Sequence, residues 1–579
     1  MKLDDVRAAG WVRDLDVELV RRLEELYGLV GRVDENVRVL LALASAATDG
    51  GDVCLPLEPG TLEAALERRA KEEELEDGEK VLRAALAGAA RLGECALAGE
   101  ASAGRPFVME GGAAGRLYVR RYWRYEEETA AALRKLAADS SGGVDAVEVE
   151  DATAGMALRD EQKAALCGAL AGRLTVITGG PGTGKTFVAA RLLEILMKRS
   201  GTKVVAAAPT GKAAARLKES LVQAMGEAGA AVEAKTVDRL LGWKEGPYFR
   251  HDAENPLREN VVVVDETSML DLPKAAKLLR ALGEGTRLVL LGDEHQLSSV
   301  DPGNVMAEIC ASKRLAGRVK RLKESVRFKP GSDVQVLADA VLAGEQEAAW
   351  NRLTGGQDVQ WCDGAGLDVE KNRAFGKRLA EGYGPFAAAV AAWTAAGEDE
   401  KDGRVPAVLA ALGAYRVLCV TRHGPQGTEA ANRAAAARLF PGRGKDENYD
   451  GRVVMIVKNN RDIGLFNGDV GVLLGQKAWF PSEGGPKDVP VFLLPEHETA
   501  FAMTVHKSQG SEFDAVTVLL PEKGAEPLLR RELIYTAITR TKRRVDLWCT
   551  PDAFRTAVSA ATERHTGLRE KLDRPAGTP

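Results

Sequence analysis

The chain of 579 residues is 45% hydrophobic and 28% charged, with a formal net charge of -5 and a pI near 5.9. This composition is ordinary for a globular protein. Its mild acidity excludes a global positive field as the means of holding nucleic acid, so any such grip must be a local groove.

At about 150 residues per domain, the length sets an expectation of roughly four modules. No apolar run reaches the length of a bilayer span, and the N-terminus lacks an apolar signal core. Cys54, Cys95, Cys167, Cys310, Cys362, Cys419 and Cys549 are scattered without a close pair. That spacing fits neither a zinc site nor a disulfide framework, so the expected location is a reducing cytoplasm.

Residues 1 to about 150 read as a mostly helical domain. Val17, Val20, Leu23, Leu26 and Tyr27 recur at helical spacing, and 37–47 is apolar enough for a buried helix. Residues 63–77, rich in Glu, Arg and Lys, read as a solvated helix face. Arg120-Arg121-Tyr122-Trp123-Arg124-Tyr125 mixes bases with aromatics, which suits stacking on nucleotides and equally suits packing at a domain edge. Ser140-Ser141-Gly142-Gly143 has the composition of a linker.

From about 155 the pattern becomes α/β. Short β-branched runs at 174–178, 203–207, 261–264 and 288–291 alternate with helical stretches, as do runs at 415–420, 515–520 and 545–549. Strands separated by helices imply parallel sheets covered on both faces. Two such domains are expected, over 151–325 and 326–579. The second carries a small β-rich insert at about 445–500, built around 453–457, 469–474 and 490–494. Lys320-Arg321-Lys323 reads as a solvated helix face, Asp368-Val369-Glu370-Lys371 as a charged helix segment, and the tail after about 565 as frayed.

The strongest local signal is Gly179-Gly180-Pro181-Gly182-Thr183-Gly184-Lys185-Thr186 between a strand and a helical run. It is a phosphate-binding loop. Its glycines let backbone N–H groups wrap phosphates, and the following helix N-terminus adds its positive dipole. Lys185 is placed to neutralise the β- and γ-phosphates of ATP, and Thr186 to bind Mg²⁺. Val261-Val262-Val263-Val264-Asp265-Glu266 puts two carboxylates at the end of a buried strand, where open α/β sheets carry their sites. Asp265 suits Mg²⁺, and Glu266 suits orienting and deprotonating a water.

Further blocks follow in a fixed order and resemble the motifs of superfamily 1 helicases. They are Asp160-Glu161-Gln162, Ala208-Pro209-Thr210-Gly211-Lys212-Ala213-Ala214, Leu290-Leu291-Gly292-Asp293-Glu294-His295-Gln296-Leu297, Ser325-Val326-Arg327-Phe328, Met503-Thr504-Val505-His506-Lys507-Ser508-Gln509-Gly510-Ser511-Glu512-Phe513 and Tyr535-Thr536-Ala537-Ile538-Thr539-Arg540. Their wording, with Gly464-Leu465-Phe466-Asn467-Gly468-Asp469 inside the insert and Tyr122-Trp123-Arg124-Tyr125-Glu126 at the end of the first domain, resembles the RecD family.

The resemblance implies two RecA-like domains, 1A and 2A, a helical N-terminal domain that docks on a RecC-like subunit, and an SH3-like 2B insert. It implies that Gln162 reads adenine, Gln296 senses the γ-phosphate, Glu512 contacts the nucleotide, and Arg327 and Arg540 act as arginine fingers. Thr210, Lys212, Thr504 and His506 would hold the phosphates of single-stranded DNA. Residues 243–260 are a candidate strand-splitting pin, and equally a plain loop. The implied activity is 5′-to-3′ unwinding from duplex ends, beside RecB-like and RecC-like subunits of an exodeoxyribonuclease V complex that repairs double-strand breaks by recombination. The alternatives are a stand-alone RecD-like helicase, which the lack of helix-hairpin-helix sequence disfavours, and a mainly structural subunit. No intrinsic nuclease is expected.

Overall fold

The computed structural model describes residues 1–73, 75–112, 115–139, 156, 158–244, 248–329, 331–442, 448–460, 462–482, 484–526 and 528–575. The expected linker at 140–143 and the boundary near 150 lie outside them.

The N-terminal part is mostly helical, as expected. A small sheet in the order β1 (Leu55–Pro56), β4 (Arg116–Val119), β3 (Phe107–Glu110), β2 (Ala98–Gly99) packs beside the helices. Helix Glu35–Ala46 is buried on nearly every face, as its apolar run predicts. Helix Asp14–Leu26 buries Val17 and Val20, whereas Leu26 and Tyr27 at its end are exposed. Helical spacing gives the face but not where the core stops. Tyr122, Trp123 and Tyr125 lie on helix Arg120–Ala138 and pack against a core shared with the next domain. This is domain-edge packing.

The first α/β unit is a six-stranded, wholly parallel sheet. It comprises β5 (Leu174–Gly179), β6 (Val204–Ala208), β7 (Glu233–Thr236), β8 (Val261–Val264), β9 (Arg287–Gly292) and β10 (Val319–Leu322), in the order β10-β5-β9-β8-β6-β7. All four valines of β8 are buried, as expected of a strand covered on both faces. Helices Asp160–Ala171, Lys185–Met197 and Gly211–Met225 cover one face. Helix Leu272–Ala281 covers the other, together with Arg120–Ala138 from the N-terminal part.

Lys320 and Arg321 therefore belong to an edge strand, not to a helix face. Only one side of β10 is paired, so water solvates its polar residues.

The second unit is a five-stranded parallel sheet in the order β11-β20-β19-β12-β18. Its strands are β11 (Val359–Asp363), β12 (Tyr415–Cys419), β18 (Ala502–Thr504), β19 (Phe513–Leu519) and β20 (Thr541–Cys549). Between β12 and β18 the chain forms an antiparallel sheet, β16-β15-β14-β13-β17, from β13 (Val453–Ile456), β14 (Val470–Leu474), β15 (Lys477–Phe480), β16 (Lys487–Pro490) and β17 (His497–Thr499). Val453 and Met455 face the core of the second unit, while Val454 and Ile456 face the insert's own small core. A period of two thus explains an uninterrupted apolar run. Residues 491–493 form a 3-10 turn rather than a strand.

Two further expectations are corrected. Residues 369–371 form a turn, not a helix, and the Asp368 side chain before it accepts the Glu370 N–H. Glu370 pairs with Arg433. The described part of the C-terminal segment, to residue 575, is not frayed. It continues through helix Leu568–Asp573, whose Leu568, Lys571 and Leu572 are buried, because long-range partners, not local propensity, hold it.

Candidate functional site

The site stands on the C-terminal ends of β5, β8 and β9, where parallel strands release their chains into loops. After β5 the loop turns sharply through Gly182 (φ +77°) and Gly184 (φ +90°) into helix Lys185–Met197. A Cβ at Gly182 would collide with Arg327, and one at Gly184 would lie 2.5 Å from Gln162 Nε2. Gln162 donates to Thr183 O at 3.1 Å, and Arg159 does so at 2.7 Å. The loop from Gly179 to Thr186 is therefore braced by Gln162 and Arg159.

Lys185 Nζ rests on Gly179 O (2.6 Å) and Gly180 O (3.0 Å). Burial pushes its pKa down, against the pull of Asp293, Asp265 and Glu266. Thr186 Oγ1 lies 3.3 Å from Asp265 Oδ2. Burial and neighbouring Glu266 push the Asp265 carboxyl up. A hydroxyl and a desolvated carboxylate aimed at one point form a hard-oxygen set that suits Mg²⁺. Glu266 itself sits in the left-handed region (φ +52°, ψ +42°).

Asp293 accepts from Gln296 Nε2 (3.1 Å) and from Tyr535 OH (3.0 Å), joining β9 to helix Arg531–Ile538 of the second unit. Gln296 Oε1 is buried without a hydrogen-bond partner, an acceptor still unsatisfied at the site.

The second unit faces this loop with guanidinium groups. Val326 N donates to Gly182 O (2.8 Å) and Ser325 Oγ to Pro181 O (3.1 Å), which places Arg327 beside the loop. Arg327 pairs with Glu512 and donates to Thr539 O. Burial and the nearby charges of Arg540 and Arg216 push its pKa down to about 9. Arg540, 3% exposed, donates to Thr536 O (3.1 Å) and Ser511 O (3.3 Å). Burial lowers its pKa, and Glu266 opposes that shift. Three cations converge on a desolvated cleft, which is the electrostatic complement of a polyanion. Glu512 thus serves Arg327 and Arg216 rather than pointing freely at a ligand.

Arg216 and Arg159 were missed in the sequence, and Asp293 and Tyr535, though inside quoted motifs, were given no role. Arg216 follows three alanines in a helix and carries no motif of its own. The Asp293–Tyr535 pair spans 242 residues.

A second feature is a cleft of about 690 Å³ between both units and the insert, lined by Thr210, Lys212, Trp243, Val300, Phe466 and His506 among others. Thr210 caps helix Gly211–Met225 through Ala213 N. Burial, then Arg416, lowers the Lys212 pKa to about 8. Thr504 does not line this cleft. Its hydroxyl accepts from Lys507 N. Trp243 and Phe249 form an isolated bridge inside the segment expected as pin or loop, of which 245–247 lie outside the described residues.

Residues 8–118 match the family model of the RecBCD enzyme subunit RecD, N-terminal domain. Residues 157–364 match that of an AAA domain, and 499–547 that of a UvrD-like helicase C-terminal domain. The RecBCD enzyme subunit RecD of Mycobacterium tuberculosis is 36% identical over 99% of this chain and 99% of its own. That of Haemophilus influenzae is 32% identical over 72% of each. The chain belongs to the RecD family. It is an ATP-dependent helicase of superfamily 1. The ATP-dependent RecD2 DNA helicase of Deinococcus radiodurans is 30% identical over 79% of this chain and 59% of that one. Among solved structures, Pif1 helicase from Bacteroides with ADP-AlF3 and ssDNA shares 18% identity over 70% of this chain and 95% of its own, at a TM-score of 0.40, too distant to add to the assignment. Among the described residues no helix is long and apolar enough to cross a membrane.

Proposed function

We propose that the chain is the 5′-to-3′ motor subunit of a RecBCD-type exodeoxyribonuclease V, working beside RecB-like and RecC-like subunits at duplex DNA ends in recombinational repair. The observation that carries the motor reading is the convergence of Arg327 and Arg540 from the second unit on the phosphate-binding loop and Glu266 of the first. A phosphate bound there touches both units at once, so its loss removes the bridge that holds them closed. The differing affinity for ATP and ADP then shifts the closure equilibrium.

In this reading the loop from Gly179 to Thr186 cradles the phosphates, Gln162 braces it near adenine, and Lys185 neutralises phosphate charge. Thr186 and Asp265 hold Mg²⁺, which supplies further charge neutralisation at the phosphate oxygens. Glu266 orients the attacking water and takes its proton, and Gln296 reports the γ-phosphate to Asp293 and Tyr535. Arg327 and Arg540 stabilise charge on the transferring group. Thr210, Lys212 and His506 hold the strand's phosphates in the cleft, with Thr504 supporting the turn behind them. The five-stranded insert takes the place of the SH3-like 2B module, and the N-terminal part docks on the RecC-like subunit.

Strand displacement on duplexes carrying a 5′ or a 3′ single-stranded tail tests the reading, with Lys185→Ala as control. Unwinding of the 5′-tailed substrate alone, lost in the variant, is the expected result. Unwinding of the 3′-tailed substrate alone would overturn the polarity. DNA-stimulated ATPase without unwinding identifies a motor that needs its partners. Complex function that survives Lys185→Ala removes the motor role and favours a structural subunit.

A further inference from the structure

The C-terminal segment crosses from the second α/β unit to the first within a few residues. Arg531 N donates to Ala560 O (2.8 Å), and Glu532 accepts the backbone N–H (3.0 Å) and hydroxyl (2.7 Å) of Thr562. These bonds tie the start of the segment to helix Arg531–Ile538. Two residues later, Arg564 enters a loop of the first unit. It donates to Asp301 O (3.0 Å), to Gly303 O (2.7 Å) and to Ser299 O. The next residue, His565, gives its N–H to Asp52 (2.7 Å) of the N-terminal part and its carbonyl to Val53 N (2.8 Å).

The loop that Arg564 fills is a wall of the cleft proposed to hold DNA, through Ser298, Ser299 and Val300. Three carbonyl oxygens of one loop turned toward one point repel each other unless a donor sits there, and only a guanidinium offers enough N–H groups in one plane. The loop is held at its other end by the second unit. Thr536 Oγ1 accepts from Leu297 N (3.0 Å), and Gln509 Nε2 donates to Leu297 O (3.0 Å). Val300, 76% exposed, therefore projects from a loop whose shape is set by contacts at both ends. The charge of Arg564 also reaches His506, whose imidazole is pushed below its usual range first by burial and then by this guanidinium.

We infer that Arg564 is a positioning residue for strand binding: it fixes the 298–303 wall of the cleft and links that wall to the N-terminal part through Asp52 and His565. The inference rests on the cleft being the strand's site. Arg564 acts through the loop and does not itself line the cleft.

The test uses the full chain, oligo-dT and DNA-stimulated ATPase, with Lys212→Ala as reference. Arg564→Ala is expected to raise the DNA concentration for half-maximal stimulation about tenfold, while the rate at saturating DNA stays within about twofold. Arg564→Lys keeps the charge but not the three-way fork, and should recover only part of the loss. Asp52→Ala, outside the cleft's lining, should move the half-saturation point in the same direction and gives an independent reading should Arg564→Ala fold poorly. An unchanged half-saturation point in Arg564→Ala and Asp52→Ala, with Lys212→Ala weakened, overturns the positioning role and leaves the cleft standing. No weakening in any of the three overturns both. A fall in saturated rate without a shift in half-saturation assigns Arg564 to general stability and also overturns the inference.

Discussion

Glu266 is one of two non-glycine residues with positive φ among those described. Such a conformation costs on the order of 1–3 kcal/mol and persists only where surroundings impose it. The charge of Glu266 reaches Arg216, Arg540 and Arg327, while Asp265 stays by Thr186. Arg540→Ala is predicted to lower ATP turnover by about 100-fold or more with little change in ATP affinity, because its contact strengthens as charge develops. Wild-type turnover in steady-state kinetics would remove Arg540 from this role. Lys212 makes a pH prediction. Burial lowers its pKa from 10.5 to about 8, with Arg416, Arg216 and Arg540 lowering it further and Asp469 opposing them. Only the protonated amine attracts a phosphate, so oligo-dT affinity should fall as pH rises through about 8, and Lys212→Arg should flatten that profile. Stability runs the other way. Between about pH 8 and 10.5 the unfolded chain holds the proton that the folded chain has lost, so this lysine's contribution to stability rises across that window. The phosphate-binding loop was readable in the sequence because eight consecutive residues make it. The Asp293–Tyr535 pair and Arg216 were not, because their roles arise only when distant segments meet.

Helix Leu568–Asp573 shows the same limit for an element. Its six residues are too few to be helical on their own. Its stability comes from Lys571, 1% exposed, which lies 2.9 Å from fully buried Glu126 on helix Arg120–Ala138. Asp573 accepts from Ser312 Oγ (2.6 Å) and Arg314 N (3.0 Å) of the first unit. Lys571→Ala leaves a buried carboxylate without its cation and should destabilise the N-terminal part by about 3–5 kcal/mol. Replacing both partners, Glu126→Leu with Lys571→Met, should recover most of that loss. Urea unfolding of the two variants checks this, and equal losses in both would show that the ion pair is not the cause. Central strands such as β8 and β12 were legible because burial on both faces demands apolar runs. Edge strands β7 and β10 were not, since half of each faces water and Glu233-Ala234-Lys235-Thr236 has no strand signature.

For the whole molecule, both parallel sheets and the insert followed from the alternation of strand and helix patterns. The arrangement of the parts did not, since it depends on partners hundreds of residues apart. The N-terminal part is joined to the first α/β unit by a shared core and by the returning C-terminal segment, and the first unit to the second across the phosphate-binding loop. Glu126 and Lys571 are 445 residues apart. On the ribosome the acid is therefore made long before the base that completes it. Domains fold largely in the order in which they emerge, so a nascent or truncated chain must either leave the Glu126 pocket open to water or keep the N-terminal part loosely docked. Only the last turn of helix closes it. A product terminated before Lys571 would expose that defect to cellular proteases while still carrying every residue proposed for ATP.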